Sequence, residues 1–298
     1  MDVKEYRAKL NAVGAVDYEH FESYKERFKE FFVLKRENGI IEARMHLNGG
    51  EAGWCYGIHN GWSKLVQAIS QDPENEVLII TGTGDKWIAP ITNATAGVAF
   101  EYMQQDPVGY ARSMYDDWYC DGQQLLVDFI NSINIPTIGV INGPAPGHTE
   151  FALACDLCLA ATDANFVEPH FSAGPGFTPG DGQYLAFQHL IGTRKANYMA
   201  YTGLNVDAET AKEWGLVDEV LPREKLLDRA WEIARMMMTK DRLVRRLTHD
   251  IARQPWKHAL DELKFSQQFA LECWSAGLST YENIVKATST LMDKPKEE

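Results

Sequence analysis

The sequence predicts an α/β protein, and three observations carry that expectation. Two short apolar runs, Thr137 to Ile141 and Leu157 to Ala161, each end where glycine, proline and polar residues gather, as buried strands feeding loops do. A third run, Glu76 to Thr81, stops at Gly82-Thr83-Gly84. Between the runs lie apolar residues at helical spacing, such as Leu125, Leu126, Phe129 and Ile130, so strand, loop, helix and strand succeed one another as in right-handed parallel crossovers.

Taken in order, residues 1–30 are charged and aromatic and read as an N-terminal helical arm. Phe32 to Arg36 and Ile40 to Leu47 flank Asn38-Gly39, a pair that tolerates positive φ and marks a hairpin. A glycine-rich loop carrying Trp54 and His59 leads into a helix reaching about Gln71. After the Glu76 strand comes a variable loop, then a helix from about Tyr110 to Ile133, which Pro136 stops. From Gly182 the chain turns mostly helical, interrupted by one strand, Leu216 to Leu221, with Gln254-Pro255 as a hinge. The expected organisation is an arm over 1–30, a core over 31–221 and a helical region over 222–298.

Composition limits the partners. The chain carries 29 basic and 42 acidic side chains, a net charge of −13, with the acids spread along its length. Nucleic acid and anionic membrane want a basic stripe, and the one local group, Arg242, Arg245 and Arg246, reads as a solvated helix face. No apolar run reaches membrane-spanning length. Five scattered cysteines, odd in number and without a secretory signal before them, predict a reducing, cytoplasmic setting. Cys155 and Cys158 form one CxxC, but Cys158 falls inside an apolar strand and no second pair follows, so neither zinc nor any other metal is expected. Gly82 and Gly84 lack the third glycine and the helix of a dinucleotide loop, and no GxSxG, HExxH or Walker segment occurs. No cofactor is expected.

The loops after the two central strands carry His148, His170 and Asp181, and loops at strand ends are where a scaffold holds chemistry over a crevice. A histidine backed by a carboxylate is a general base suited to neutral pH. Each residue also has a plainer reading: His170 as loop packing, Asp181 as the N-cap of the helix after Gly182, His148 as a cap or subunit-contact residue.

The blocks VLIITGTGDKW, IPTIGVINGPAPGH, CDLCLAATDANFVEPHF, TPGDG and YTGLNVDAETAKEWGLVDEVLP resemble the crotonase superfamily, also called the enoyl-CoA hydratase and isomerase family. The resemblance runs from about Phe32 to about Met292 and implies a spiral of ββα repeats, a C-terminal helical trimerisation region giving a homotrimer or dimer of trimers, and an oxyanion hole of two backbone N–H groups near Ile91 and His148. Hydratases of the family typically carry two glutamates; here the matching positions hold Phe151 and His170. Glu150 is one residue away, a slip that turns a helical side chain by about 100 degrees, which makes it a poor substitute.

What replaces the glutamates resembles the 6-oxocamphor hydrolase-like β-diketone hydrolase branch. Its five-part pattern falls on His170, Asp181, His148, the pair Trp54 and His59, and Glu272, with two extra residues around Gly174-Pro175-Gly176. The resemblance implies retro-Claisen hydrolysis of a small-molecule 1,3-diketone, cyclic by expectation: His170 as base for water, Asp181 fixing its tautomer, His148 donating to the oxyanion or enolate, and Glu272 orienting water or protonating the enolate. Trp54, His59 and Ile91 would bind substrate. On sequence alone Trp54 reads equally as a core residue, His59 as a helix cap and Glu272 as a surface glutamate. Two alternatives stand: an acyl-CoA hydratase, isomerase or thioester hydrolase of the same fold, disfavoured by Phe151 and by Trp87 and Pro90 before the first oxyanion donor, and a silent or RNA-binding relative, disfavoured by His170 with Asp181 and by the net charge of −13.

Overall fold

The computed structural model describes residues 2–89, 105–106, 124–172, 176–260, 268, 271–272 and 275. Two helices, α1 (Val3–Ala12) and α2 (Phe21–Arg27), precede the hairpin of β1 (Phe32–Glu37) and β2 (Ile40–Met45). Asn38 at φ 51° and Gly39 at φ 83° make the tight turn, so the two residues that tolerate the left-handed region sit where the strands reverse. Then come α3 (Tyr56–Gln71), β3 (Val77–Thr81), α4 (Gln124–Ser132), β4 (Thr137–Ile141), the four-residue α5 (Glu150–Leu153) and β5 (Leu157–Ala161).

These strands, with β8 (Glu219–Leu221), form one sheet in the order β1-β2-β3-β4-β5-β8, antiparallel only at the hairpin and parallel from β2 onward. Strands β3 and β4 are buried along their whole length, as a parallel sheet covered on both faces requires. The helix α9 (Arg223–Met238) packs on β3, β4 and β5, while α3 packs against α4. Gly139 sits mid-strand in β4 because a Cβ there would collide with the backbone of Ala152 in α5. That close approach holds α5, and with it the segment around His148, directly over the sheet.

Three departures from the expected elements have local causes. The last strand begins at Glu219 rather than Leu216, because Leu216 N–H is taken by the carbonyl of Ala211 (2.8 Å) in the turn closing α8 (Ala208–Trp214) at Gly215. A two-residue antiparallel pair, β6 (Asn165–Phe166) with β7 (Val206–Asp207), is too short to leave any periodic trace. Pro255 lies in the first turn of α11 (Gln254–Ala259), where its missing N–H costs nothing, rather than in an open hinge. The remaining helices are α6 (Gln183–Ile191), α7 (Thr193–Thr202) and α10 (Arg242–Ala252). Of the expected helix from about Tyr110, the described part is α4.

Candidate active site

The loops at the C-terminal ends of the parallel strands are cross-tied. Asn142, just past β4, accepts from Gly82 N–H (3.2 Å) and donates to the carbonyls of Gly84 and Lys86 (both 2.9 Å), fixing the loop after β3 to the loop after β4. Trp87, fully buried, donates its indole N–H to the carbonyl of His148 (2.8 Å). His148 is held at φ 53°, in a region a non-glycine residue seldom occupies. On its far side Thr149 donates both its N–H and its hydroxyl to Gln183 Oε1 (2.9 Å each), and Gln183 Nε2 donates to the carbonyl of Val167 (2.9 Å). One buried glutamine thus joins the His148 segment, the His170 segment and the start of α6.

Within this frame six ionisable side chains converge. His170 Nε2 lies 3.3 Å from Asp181 Oδ2 and 3.7 Å from Glu272 Oε1, while its Nδ1 is bonded to Glu168 Oε1. The edge of Phe177 packs on the imidazole, with ring centroids 4.8 Å apart. His148 Nδ1 stands 3.5 Å from the same Asp181 Oδ2 and 3.5 Å from Glu150 Oε1. Its ring stacks on Trp54, centroids 3.7 Å apart and planes 14° from parallel. Asp181 Oδ1 accepts from Gln183 N–H (3.0 Å), the first of α6, whose N-cap is Gly182, so the carboxylate meets the helix start with one oxygen and faces both histidines with the other. Glu272 is placed by Gly180, whose N–H donates to Glu272 Oε2 (2.7 Å); a Cβ at Gly180 would strike the Gln268 carbonyl, so only glycine lets the C-terminal segment come this near.

The environments push these groups apart. Burial holds the His148 imidazole down at about 4, leaving it neutral at pH 7. Burial works the same way on His170, but the carboxylates of Glu168, Asp181 and Glu272 outweigh it and raise its pKa well above the ordinary histidine value. Asp181 is buried too, yet His170 and His148 hold it below the usual carboxylate range. Burial, reinforced by the Asp181 charge, raises Glu150 and Glu272 well above that range, toward the protonated form.

The sequence profile of the enoyl-CoA hydratase/isomerase family matches residues 57–274. The chain belongs to that family. Among curated proteins it is 33% identical over 197 residues to a crotonyl-CoA hydratase of Syntrophomonas wolfei subsp. wolfei, a stretch covering 66% of this chain and 71% of that one. Among solved structures, a β-diketone hydrolase from the cyanobacterium Anabaena sp. PCC 7120, bound to (S)-3-oxocyclohexyl acetic acid, is 32% identical with a TM-score of 0.74, covering 90% of this chain and 97% of that one. An enoyl-CoA hydratase/isomerase from Mycobacterium paratuberculosis, 19% identical at a TM-score of 0.72 over 88% and 98% of the two chains, shares the fold.

Against other members of the enoyl-CoA hydratase/isomerase family, the position where hydratases typically carry their first glutamate is apolar here. Phe151 is buried among Trp54, Trp62 and Trp87, with ring centroids 5.6 to 5.9 Å away. Glu150, which a one-residue slip on a helix should turn away, instead reaches His148, because α5 has only four residues and begins at Glu150 itself. The geometry also corrects the expected part of Asp181. The carboxyl on His170 Nδ1 is that of Glu168, and Asp181 faces Nε2. Glu168 stands in the segment EPHF, two residues before His170 with Pro169 between, and lies outside the family pattern.

The structure brings Trp54, His148, His170, Asp181 and Glu272 together. His59 sits in the first turn of α3, buried behind Trp54 with ring centroids 5.3 Å apart and its Nδ1 2.9 Å from Asn60 Oδ1; it reaches the other four through Trp54. Ile91, with Pro90 and with Gly174 and Pro175 of the expected insertion, lies outside the described residues. Two triads, His148 with Glu150 and Asp181, and His170 with Asp181 and Glu272, gather donor atoms within 4.8 Å. The two triads share one carboxylate, that of Asp181.

Proposed function

We propose that this enzyme of the enoyl-CoA hydratase/isomerase family hydrolyses a carbon–carbon bond of a 1,3-diketone, with a ring diketone as the preferred class. One observation carries the reading: two imidazoles face a single carboxylate, Asp181, at 3.3 and 3.5 Å, while the position of a hydratase glutamate is filled by the buried ring of Phe151. An acid and a base on carboxylates suit addition of water to an enoyl thioester; a histidine base beside a hydrogen-bond donor suits water attacking a carbonyl.

In this mechanism neutral His170 accepts a proton at Nε2 as water attacks one carbonyl carbon. Asp181 stabilises the imidazolium, as carboxylates do in hydrolytic triads. The oxyanion collapses to a carboxylic acid, the carbon–carbon bond breaks, and its electron pair is held as the enolate of the second ketone, which serves as the electron sink. Neutral His148 donates a hydrogen bond to the developing charge, and Trp54 holds its ring in place. The enolate carbon takes a proton from Glu272, which His170 reprotonates, so water and diketone give one keto acid and the residues return to their starting state. No metal or cofactor takes part in this scheme.

The raised pKa of His170 fixes a sign. The base must be unprotonated, so kcat/KM rises with pH through the His170 pKa, and that limb lies above the ordinary value of about 6.5. The test is to follow loss of enol absorbance and appearance of keto acid with cyclic 1,3-diketones. Turnover that survives in His170→Ala contradicts the base assignment. A second reading, hydration of a short enoyl-CoA, is favoured by the likeness to the crotonyl-CoA hydratase and is scored in the same experiment by water addition to crotonyl-CoA.

The proposal includes assembly of copies of this chain into a homotrimer or a dimer of trimers. An exposed apolar row on α10, Leu243, Val244, Leu247 and Ile251, supports burial against another copy. A cytoplasmic setting is supported by Cys55, Cys155 and Cys158, buried free thiols. Among the described residues no helix is long and apolar enough to cross a membrane.

A further inference from the structure

We infer that Glu168, a residue outside the five-part pattern, is the positioning residue for His170: it holds the Nδ1 proton and the backbone N–H of that histidine and so presents Nε2 toward Asp181 and Glu272. The kinetic part of this inference rests on the diketone-hydrolase reading; the structural part does not.

Glu168 is fully buried, and its Oε1 accepts from His170 N–H at 3.1 Å as well as from Nδ1. A glutamate left in such a place without partners would be costly, and here its contacts are spent on one residue. Pro169 between them fixes φ and shortens the range of conformations that bring both bonds together. The loop is pinned on each side: Gln183 donates to the carbonyl of Val167 at 2.9 Å, and Phe177 N–H donates to the carbonyl of His170 at 2.9 Å. With backbone and ring nitrogen both anchored, the imidazole has one tautomer when neutral, protonated at Nδ1 and basic at Nε2. A carboxylate on Nε2 alone, as Asp181 is, would fix the opposite tautomer and leave no lone pair for water.

The groups facing His170 from the neighbouring segments are Asp181 before α6, Glu272 from the C-terminal segment, and His148 and Glu150 at the start of α5. Glu168 lies on the other side of the ring, at Nδ1, while Asp181 and Glu272 face Nε2.

The test has two arms. In protein carrying nitrogen-labelled histidine, His170 should show a far-downfield Nδ1–H resonance that persists in Asp181→Asn and disappears or shifts strongly upfield in Glu168→Asp, whose carboxylate is one methylene short. In the kinetic arm, Glu168→Gln should lower kcat by at least about tenfold with KM within about twofold. It should also move the rising limb of the pH profile to lower pH, because an anion that favoured the imidazolium has gone. A merely structural glutamate would change thermal stability and leave that limb where it is. An unprotonated Nδ1 in the wild-type protein, or a Glu168→Gln enzyme with unaltered kcat and limb, overturns the inference. If no diketone is turned over at all, the resonance arm still decides the matter, since it needs only the folded wild-type chain.

Discussion

His170 and His148 look at the same oxygen of Asp181 from nearly the same distance, 3.3 and 3.5 Å, yet one is held toward the charged form and the other kept neutral. What separates them is the other side of each ring. His170 has a buried carboxylate on Nδ1 and a second carboxyl within 3.7 Å of Nε2. His148 has the indole of Trp54 against its face, and burial pushes the acid beside it, Glu150, toward its neutral form. A shared carboxylate therefore does not make two histidines alike; the unshared surroundings decide which takes up protons and which donates a hydrogen bond without changing charge.

The largest effect should come from removing the proton-accepting member. His170→Ala should lower kcat by about three to four orders of magnitude, measured by keto-acid formation, with the fold intact by circular dichroism. Asp181→Asn breaks the shared point itself. It should cost on the order of a hundredfold in kcat and draw the rising limb of the pH profile downward, since one anion that raises the His170 pKa is lost. His148→Ala removes the neutral donor and should cost about ten- to a hundredfold in kcat, with the limb kept in place because a neutral ring contributes no charge there. The smallest effect is expected of Trp54→Leu. It keeps an apolar wall but loses the stack, so kcat should fall by a factor of about three to ten while His148 stays neutral down to pH 5 in a nuclear magnetic resonance titration.

The strands that hold the site were legible because burial on both faces leaves continuous runs, as in Thr137–Ile141 and Leu157–Ala161, whose bounds the structure reproduces. The β6–β7 pair was not, since two residues carry no period. At the site, spacing and resemblance singled out His148, His170, Asp181, Glu272 and Trp54, but only coordinates could say which nitrogen of His170 meets which acid. Sequence distance misleads there: Asp181, eleven positions on, reads as the natural orienting group, while Glu168, two positions back across Pro169, is bonded to Nδ1. Glu150 reads as turned away only if its helix is regular, and α5 is too short for that geometry to apply.

The central claim is that water, activated at His170, becomes part of the acid released from a 1,3-diketone. Turnover of a cyclic 1,3-diketone in oxygen-18 water, with the product weighed by mass spectrometry, measures this directly. The account predicts a keto acid with a single heavy oxygen in its carboxylate from the wild-type enzyme and no product from His170→Ala. Diketone left intact while crotonyl-CoA is hydrated under the same conditions would contradict it.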